Sequence, residues 1–350
     1  MRIALVHTRI LYRGGLETRL FSYMRYLRDA GHEVTVIVFR VGRGVKVPEG
    51  IRVIHVRLPH IPKVSRAKVF DGRLKKILAK EQFDFVLSLG RTSHHDAVLL
   101  PGNHLGYLKA LGKEPKGKSD RLQIYMDRKA YSAPGRILAC SEMMKEEVVE
   151  LYGPDPSKID ILYPPTDTQR FHLGLKKRKV EFRQKFGFSE GKKSFVLVSS
   201  SHERKGLPLL MKAFAKLDPN KVELWVAGQE SVPAELPNVK GLGFVKETEE
   251  LYAAADCNLL PAVYEPYGQV VSESILCGTP VFVSHMVGAK SVINDRVGRV
   301  IQSFAIDEWA EAIGGFEPNQ YSIEEGFADQ HGLSLEAHMQ VILKLAVKRD

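Results

Sequence analysis

The chain has 350 residues, 44% of them hydrophobic and 26% charged, a balance that suits a globular protein with room for two cores and excludes a fibrous or disordered one. Its formal net charge is +10, and the excess is uneven: residues 1–164 hold 29 Lys and Arg against 17 Asp and Glu, while residues 165–350 hold 22 against 24. The first half therefore calls for an anionic partner such as membrane lipid, an acidic glycan or nucleic acid.

The opening "MRIALVHTRIL", with Arg2, Arg9 and Arg13 close by, is too short and too interrupted for a signal peptide, and no later apolar run approaches membrane-spanning length. "RIALVH" and "EVTVIVF" have the compact apolar character of buried strands. Between them Leu16, Leu20, Tyr23, Met24 and Leu27 recur at helical spacing, and Gly31 stops the helix. This is a βαβ unit. In the intervening "YRGGLET", Gly14 and Gly15 open the helix with bare backbone amides able to approach an anion; a loop that merely needs glycines explains them equally well. The pattern is not G-x-G-x-x-G, which weakens a dinucleotide dehydrogenase assignment.

Strand-like runs continue with "FDFVLSL", "AVLLP", "GRILACS" and "IDILYPP", the last two flanking a helix "SEMMKEEVVELY" with Ser141 as its N-cap. "HHD" at 94–96 reads as a solvated loop rather than a metal site. From Lys109 to Lys129, basic residues interleave with Leu108, Leu111, Leu122, Ile124, Tyr125 and Met126, as they do in "VSRAKVFDGRLKKILAK". Such segments suit an anionic membrane face, or are plain solvated helices. The prolines of "YPP" at Tyr163–Pro165 suit a crossover, and "KKRK" at 176–179 reads as a solvated loop.

The second half repeats the rhythm: "SFVLVS", helix "LPLLMKAFAKL", "VELWVAG", helix "TEELYAAA" capped by Thr248, "CNLL", a helix after Gly268, and "PVFVS". The alternation predicts an α/β protein of two doubly wound parallel-sheet domains. With the break at "YPP", domain one is expected over 1–164 and domain two from 165 onward. Cys140, Cys257 and Cys277 are odd in number and set in apolar contexts, so they predict neither a disulfide framework nor a metal knuckle, and suit a reducing cytoplasm.

In open α/β sheets the ligand lies beyond the carboxyl ends of the strands. After "SFVLVS" comes "SSSHERKG", where Arg204 and Lys205 precede Gly206 and a helix. Cations there oppose the helix dipole, so a diphosphate held between them is the attractive explanation and a solvated turn the bland one. After "CNLLPAVY" comes "EPYGQVVSE". The amides of Gly268, Gln269 and Val270 open a helix toward the strand ends, Glu265 precedes it in the loop, and Glu273 stands on its flank where it can accept hydrogen bonds from a vicinal diol. Val270, Val271, Ser274, Ile275 and Cys277 form the inward stripe.

The run "EPYGQVVSESILCGTPVFVSHMVG" resembles the E-x7-E signature of the family 4 retaining glycosyltransferases of GT-B type, and "ERKG" and "GGLE" fall in order at the other two donor-site positions. The similarity spans nearly the whole chain and within the family is greatest to bacterial lipopolysaccharide core glucosyltransferases. It implies that Arg204 and Lys205 hold the nucleotide diphosphate, with Lys205 stabilising the leaving group. Glu265 would contact donor-sugar hydroxyls, Glu273 the ribose diol, and Gly14 and Gly15 the diphosphate from the other domain. Where many members carry an earlier Arg, this chain has Ser199 to Ser201. His104 in "LPGNHLGYL" resembles an acceptor-side histidine and with Asn103 would orient the acceptor hydroxyl; a core or capping role is as good an explanation. The resemblance further implies a GT-B fold of two Rossmann-like domains facing a cleft, the second over 165–325 with 326–350 as a segment returning to the first, a metal-independent transfer with no cofactor beyond the nucleotide sugar, and a front-face mechanism in which the departing phosphate deprotonates the acceptor; the basic first half adds a peripheral location at the inner membrane face. A sugar-nucleotide epimerase of the same fold, or a basic nucleic-acid-binding protein, are the alternatives. The second does not explain Arg204, Lys205, Glu265 and Glu273 together.

Overall fold

The computed structural model describes residues 1–12, 14–228, 231–232 and 236–347; Arg13 of the "YRGGLET" motif lies outside them. The chain divides into two compact units, one formed by Met1–Pro165 with the segment from Leu335, the other by Thr166–Ser334.

The first unit carries β1 (Arg2–Val6), β2 (Arg9–Ile10), β3 (Glu33–Val38), β4 (Arg40–Val41), β5 (Arg52–His55), β6 (Phe85–Ser88), β7 (Ala97–Leu100), β8 (Arg136–Ala139) and β9 (Ile159–Ile161). Seven of these form one sheet in the order β5-β3-β1-β6-β7-β8-β9, all parallel, and β2 pairs β4 apart from it. Period-two alternation sends Ile3 and Leu5 of β1 to one face and Ala4 and Val6 to the other. On the first face they join Leu20, Tyr23, Met24 and Leu27 of the helix Gly15–Asp29, together with Met339 and Ile342 of the last helix. On the second they meet Phe70 and Leu74 of the helix Arg66–Lys80. A sheet buried on both faces must be apolar throughout, which is why its strands read as runs rather than alternations. Ser141 caps the helix Glu142–Tyr152 as expected, its side chain accepting from the Met144 amide at 3.2 Å.

The second unit carries β10 (Lys193–Val198), β11 (Val222–Ala227), β12 (Val239–Gly243), β13 (Cys257–Leu260), β14 (Val281–Ser284) and β15 (Gly298–Ile301), parallel in the order β12-β11-β10-β13-β14-β15. Edge-to-face rings fill its core: Phe195 lies 5.9 Å from Phe214 and 5.3 Å from Phe316, and Phe282 lies 5.7 Å from Phe316.

Four expectations change. The return to the first unit begins at Leu335 rather than 326, because the short helix Phe327–Gln330 belongs with the second. Thr248 is the first residue of its helix, with Glu247 at the cap position and no side-chain cap bond. The "KKRK" run is solvated only at Lys177 and Arg178: Lys176 Nζ donates to Ala255 O at 2.9 Å and Thr279 Oγ1 at 2.7 Å, and Lys179 pairs with Asp256. Within "HHD", His95 is buried, and Asp96 accepts from the Val86 amide at 2.7 Å.

The last helix is tied to the first unit by His338, which is fully buried. Its Nδ1 donates to Tyr163 O at 2.8 Å, so Nε2 is the nitrogen left to accept from the Tyr23 hydroxyl. Burial pushes its pKa down from 6.5 to about 3. The unfolded chain therefore takes up a proton near 6.5 that folded His338 refuses until about 3, so this contribution is complete above 6.5 and is lost as pH falls through that window. His338→Phe is expected to lower unfolding free energy at neutral pH by ~1–3 kcal/mol, the cost of orphaning buried polar partners, and to flatten the acid-side slope; denaturant unfolding across pH measures both.

Candidate functional site

In the second unit the loops following β10 and β13 meet. Gly206, with φ +87°, opens the helix Leu207–Phe214, and a Cβ there would stand 2.1 Å from the Pro261 carbonyl oxygen. Only glycine permits that approach. The Val263 amide donates to Arg204 O at 3.1 Å, locking the loops backbone to backbone.

This contact delivers the charges. Arg204 Nη1 donates to Tyr264 O at 2.8 Å and to Glu265 Oε2 at 3.0 Å, and Lys205 Nζ lies 2.5 Å from the same Glu265 oxygen. Lys205 is 8% exposed, so water screens the group weakly. Burial pushes the Glu265 carboxyl up, but the neighbouring Lys205 and Arg204 charges outweigh it and hold its pKa below the ordinary value. Glu265 is also fixed by its main chain, its amide donating to Met286 O at 3.0 Å and its carbonyl accepting from the Gly288 amide at 2.8 Å.

Gly268 (φ +96°) turns the chain into the helix Gln269–Leu276, which Gly278 ends as expected. The buried stripe is Val271, Ser272, Ser274, Ile275 and Leu276, continued by Cys277; Val270 is half-exposed rather than inward. Asn258 Nδ2 donates to Val270 O at 3.1 Å, fixing the helix start to β13. Glu273 is half-buried on the flank and accepts from the Tyr252 hydroxyl at 3.3 Å. Here burial prevails over Tyr252, Arg170 and Lys205, and its pKa is raised. Two carboxylates of one short segment are thus driven in opposite directions.

Tyr252 and Arg170 were not singled out by sequence. Arg170 Nε donates to Glu249 Oε2 at 2.8 Å and its charge bears on Glu273. Its only sequence signal is its place just after the "YPP" crossover.

In the first unit, Gly14 (φ +110°) precedes the helix Gly15–Asp29, and the space a Cβ would need is taken by Glu17 Oε2, 2.2 Å from it. Burial raises the Glu17 pKa, but His7, Arg9 and its own backbone N–H lower it to about 2. The niche expected to receive a foreign anion at Gly14 and Gly15 holds the protein's own carboxylate. Asn103 is the N-cap of the helix His104–Ala110, accepting from the Gly106 amide at 2.7 Å and donating to Glu147, so its amide is committed to structure. His104 is buried; its amide donates to Asp127 Oδ2 at 2.8 Å and its Nε2 to Asp120 Oδ1 at 2.9 Å, which fixes the orientation of the ring. Among the described residues, no group of three or more His, Cys, Asp or Glu side chains is placed to hold a metal ion, and no helix is long and apolar enough to cross a membrane.

Two family models match: Glycosyltransferase Family 4 over residues 13–170 and Glycosyl transferases group 1 over residues 178–325. A probable transglycosylase of Burkholderia thailandensis is 32% identical, covering 99% of this chain and 97% of that one. An uncharacterized glycosyltransferase of Methanocaldococcus jannaschii is 27% identical over 82% and 80% of the two chains. Of solved structures, WaaG, a glycosyltransferase involved in lipopolysaccharide biosynthesis, matches with TM-score 0.75 at 20% identity over 99% and 96% of the chains. Anabaena Alr3699/HepE in complex with UDP and glucose matches with TM-score 0.74 at 16% identity over 99% of each. The fold is therefore that of GT-B glycosyltransferases, with two Rossmann-like units.

Gly206→Ala forces the two loops apart, and is expected to cost more than the ~1 kcal/mol of positive-φ strain alone. Gly191→Ala, where φ is +72° and nothing lies within 4 Å, is expected to cost only the strain. Paired denaturant unfolding curves measure the difference.

Proposed function

The chain belongs to the family 4 glycosyltransferases, and on that premise we propose that it is a retaining hexosyltransferase, moving a hexose from a nucleotide sugar of UDP-glucose type onto a lipopolysaccharide core or a related glycolipid or glycan. The observation that carries the proposal is the convergence of Arg204 and Lys205 on one oxygen of Glu265, beside the Gly268 helix and Glu273.

In this assignment Arg204 and Lys205 take the diphosphate, joined by the amides of Gly268, Gln269 and Val270. Negative charge gathers on the diphosphate as the glycosidic bond breaks, and cations and oriented amides already in place stabilise it without reorganising. The transfer then requires no metal ion and no cofactor beyond the donor. Glu265 accepts from donor-sugar hydroxyls and Glu273 from the ribose diol. No side chain is assigned as a covalent nucleophile; the departing phosphate oxygen removes the acceptor proton on the same face, which retains configuration. In the first unit His104, its ring held by Asp120, is assigned to orient the acceptor hydroxyl through Nδ1.

The basic surface of the first unit is assigned to an anionic membrane face on the cytoplasmic side. Tyr125 is 43% exposed, with Lys68 Nζ 5.5 Å and Lys129 Nζ 6.0 Å from its ring, and Lys113, Lys116 and Lys118, before and at the start of the same helix, are exposed. An amphipathic ring among cations suits the headgroup layer.

Calorimetry with UDP-glucose, UDP-N-acetylglucosamine, GDP-mannose and ADP-heptose is expected to show binding of one donor, weakened by at least ~1 kcal/mol in Glu273→Ala and in Lys205→Ala. Binding of none removes the donor site. Because a diol needs Glu273 ionised and burial raises its pKa from 4.5, wild-type affinity is expected to grow as pH rises from the ordinary carboxylate range toward neutrality. Glu273→Gln is expected to lose that dependence. The raised value also means that ionised Glu273 opposes folding once pH passes it, so Glu273→Gln is expected to be more stable than wild type at neutral pH.

Sedimentation with phosphatidylglycerol vesicles is expected to recover the wild type. Lys113→Gln, Lys116→Gln and Lys118→Gln combined are expected to lose ~1 kcal/mol per charge, and neutral phosphatidylcholine vesicles to recover neither. Equal recovery of wild type and triple variant on anionic vesicles removes the membrane assignment.

A further inference from the structure

We infer that Glu265 is a resident counter-anion of the diphosphate site: its carboxylate holds Arg204 and Lys205 while the site is empty, competes with the spent nucleoside diphosphate for those two cations, and so speeds product release. The inference rests on the donor-site assignment above and gives Glu265 a role besides touching the sugar.

Three observations carry it. First, both cations converge on one oxygen, Oε2, at 3.0 and 2.5 Å, so the anion already present occupies the position from which both can be reached. A diphosphate oxygen that pairs with both must displace Oε2 or share the space with a like charge. Secondly, the site is sheltered, the side chains of Lys205 and Glu265 being 9% and 14% exposed. Charges there interact strongly, and a cation left without its partner is costly. Thirdly, the main chain of Glu265 is pinned on both sides by Met286 and Gly288. Release of the cations therefore needs only side-chain rotation and no movement of the Glu265 main chain.

The consequences are asymmetric between donor and product. With the sugar attached, Glu265 loses the cations but gains hydroxyl donors in their place. Once the sugar has gone, nothing compensates the displaced carboxylate, and return to Arg204 and Lys205 favours departure of the diphosphate. A carboxylate serving only as a loop staple gives a different signature, since removing a staple loosens the cations and weakens every anion alike.

The test is calorimetry on the full-length chain with UDP, GDP, ADP and inorganic diphosphate, beside the nucleotide sugars, for wild type, Glu265→Gln and Glu265→Asp. Gln keeps the shape and removes the charge; Asp keeps the charge and withdraws it from the cations, and provides the reading if the Gln variant fails to fold. The expected result is that the matching nucleoside diphosphate binds Glu265→Gln about tenfold more tightly, the scale of one charged hydrogen bond. Glu265→Asp is expected to fall between, and the preference for nucleotide sugar over nucleoside diphosphate to drop in both variants. Glu273→Gln is expected to weaken both ligands together. If wild type binds the diphosphate and the Glu265 variants bind it equally or less well, the counter-anion role is overturned while the donor site stands. If neither wild type nor any variant binds a nucleotide, the donor site fails and this inference fails with it.

Discussion

Everything at the candidate site depends on how closely the loop after β10 presses on the loop after β13. The missing side chain of Gly206 lets the backbone reach the Pro261 carbonyl, and the Val263 amide then bonds Arg204 O at 3.1 Å. From that contact Arg204 reaches both Tyr264 O and Glu265. The bridge from Glu265 to Val287 continues the connection to the loop after β14. Three strand ends are thus joined by main-chain bonds before any side chain is considered. Cations mounted on such a base keep their places once a ligand has bound, which is the condition for effective electrostatic catalysis.

The same base separates the fates of two glutamates that are chemically alike. Glu265, in the loop, faces two cations and is held ionised; Glu273, in the second turn of the helix, faces a buried tyrosine and is pushed toward its neutral form. Environment decides, and sites that need two carboxylates in different protonation states are built by divergence of this kind. A change at Tyr252 or Arg170 acts first on Glu273, and on Glu265 through Lys205, whose charge bears on both carboxylates.

The repeated βαβ rhythm was legible because parallel strands buried on both faces are written as unbroken apolar runs, and glycines stand where helices turn. The edge strands β5, β12 and β15 were missed since each is short and carries exposed or half-buried positions, where the apolar signal fades. Ser141 was readable as a cap because its helix follows in the same segment. Thr248 was not, because a hydroxyl beside a helical run marks a start only to within a residue. Lys176 and His95 were misjudged for another reason: a charged or polar run looks solvated until tertiary structure brings a carbonyl, a hydroxyl or an apolar wall to it. The motif residues of the site were legible in identity and order, but their pairing with one another was not. Spacing along a chain says nothing of which oxygen two cations will share.

That hidden pairing has a counterpart in the first unit. There too a glycine opens a helix where an anion was expected, and there too the place is filled from within, by Glu17 held against Arg9. Amides and cations gathered for a phosphate are unstable company without one, since each is partly removed from water and lacks an acceptor. An internal carboxylate satisfies them in the empty state at the expense of some affinity in the filled one. On the proposed transfer a diphosphate leaves after every turnover, and weaker holding is then an advantage, because binding energy that persists into the product complex slows turnover. Self-occupied anion sites therefore reconcile two demands that a bare cluster of cations cannot meet together: a stable empty protein and a leaving group that leaves.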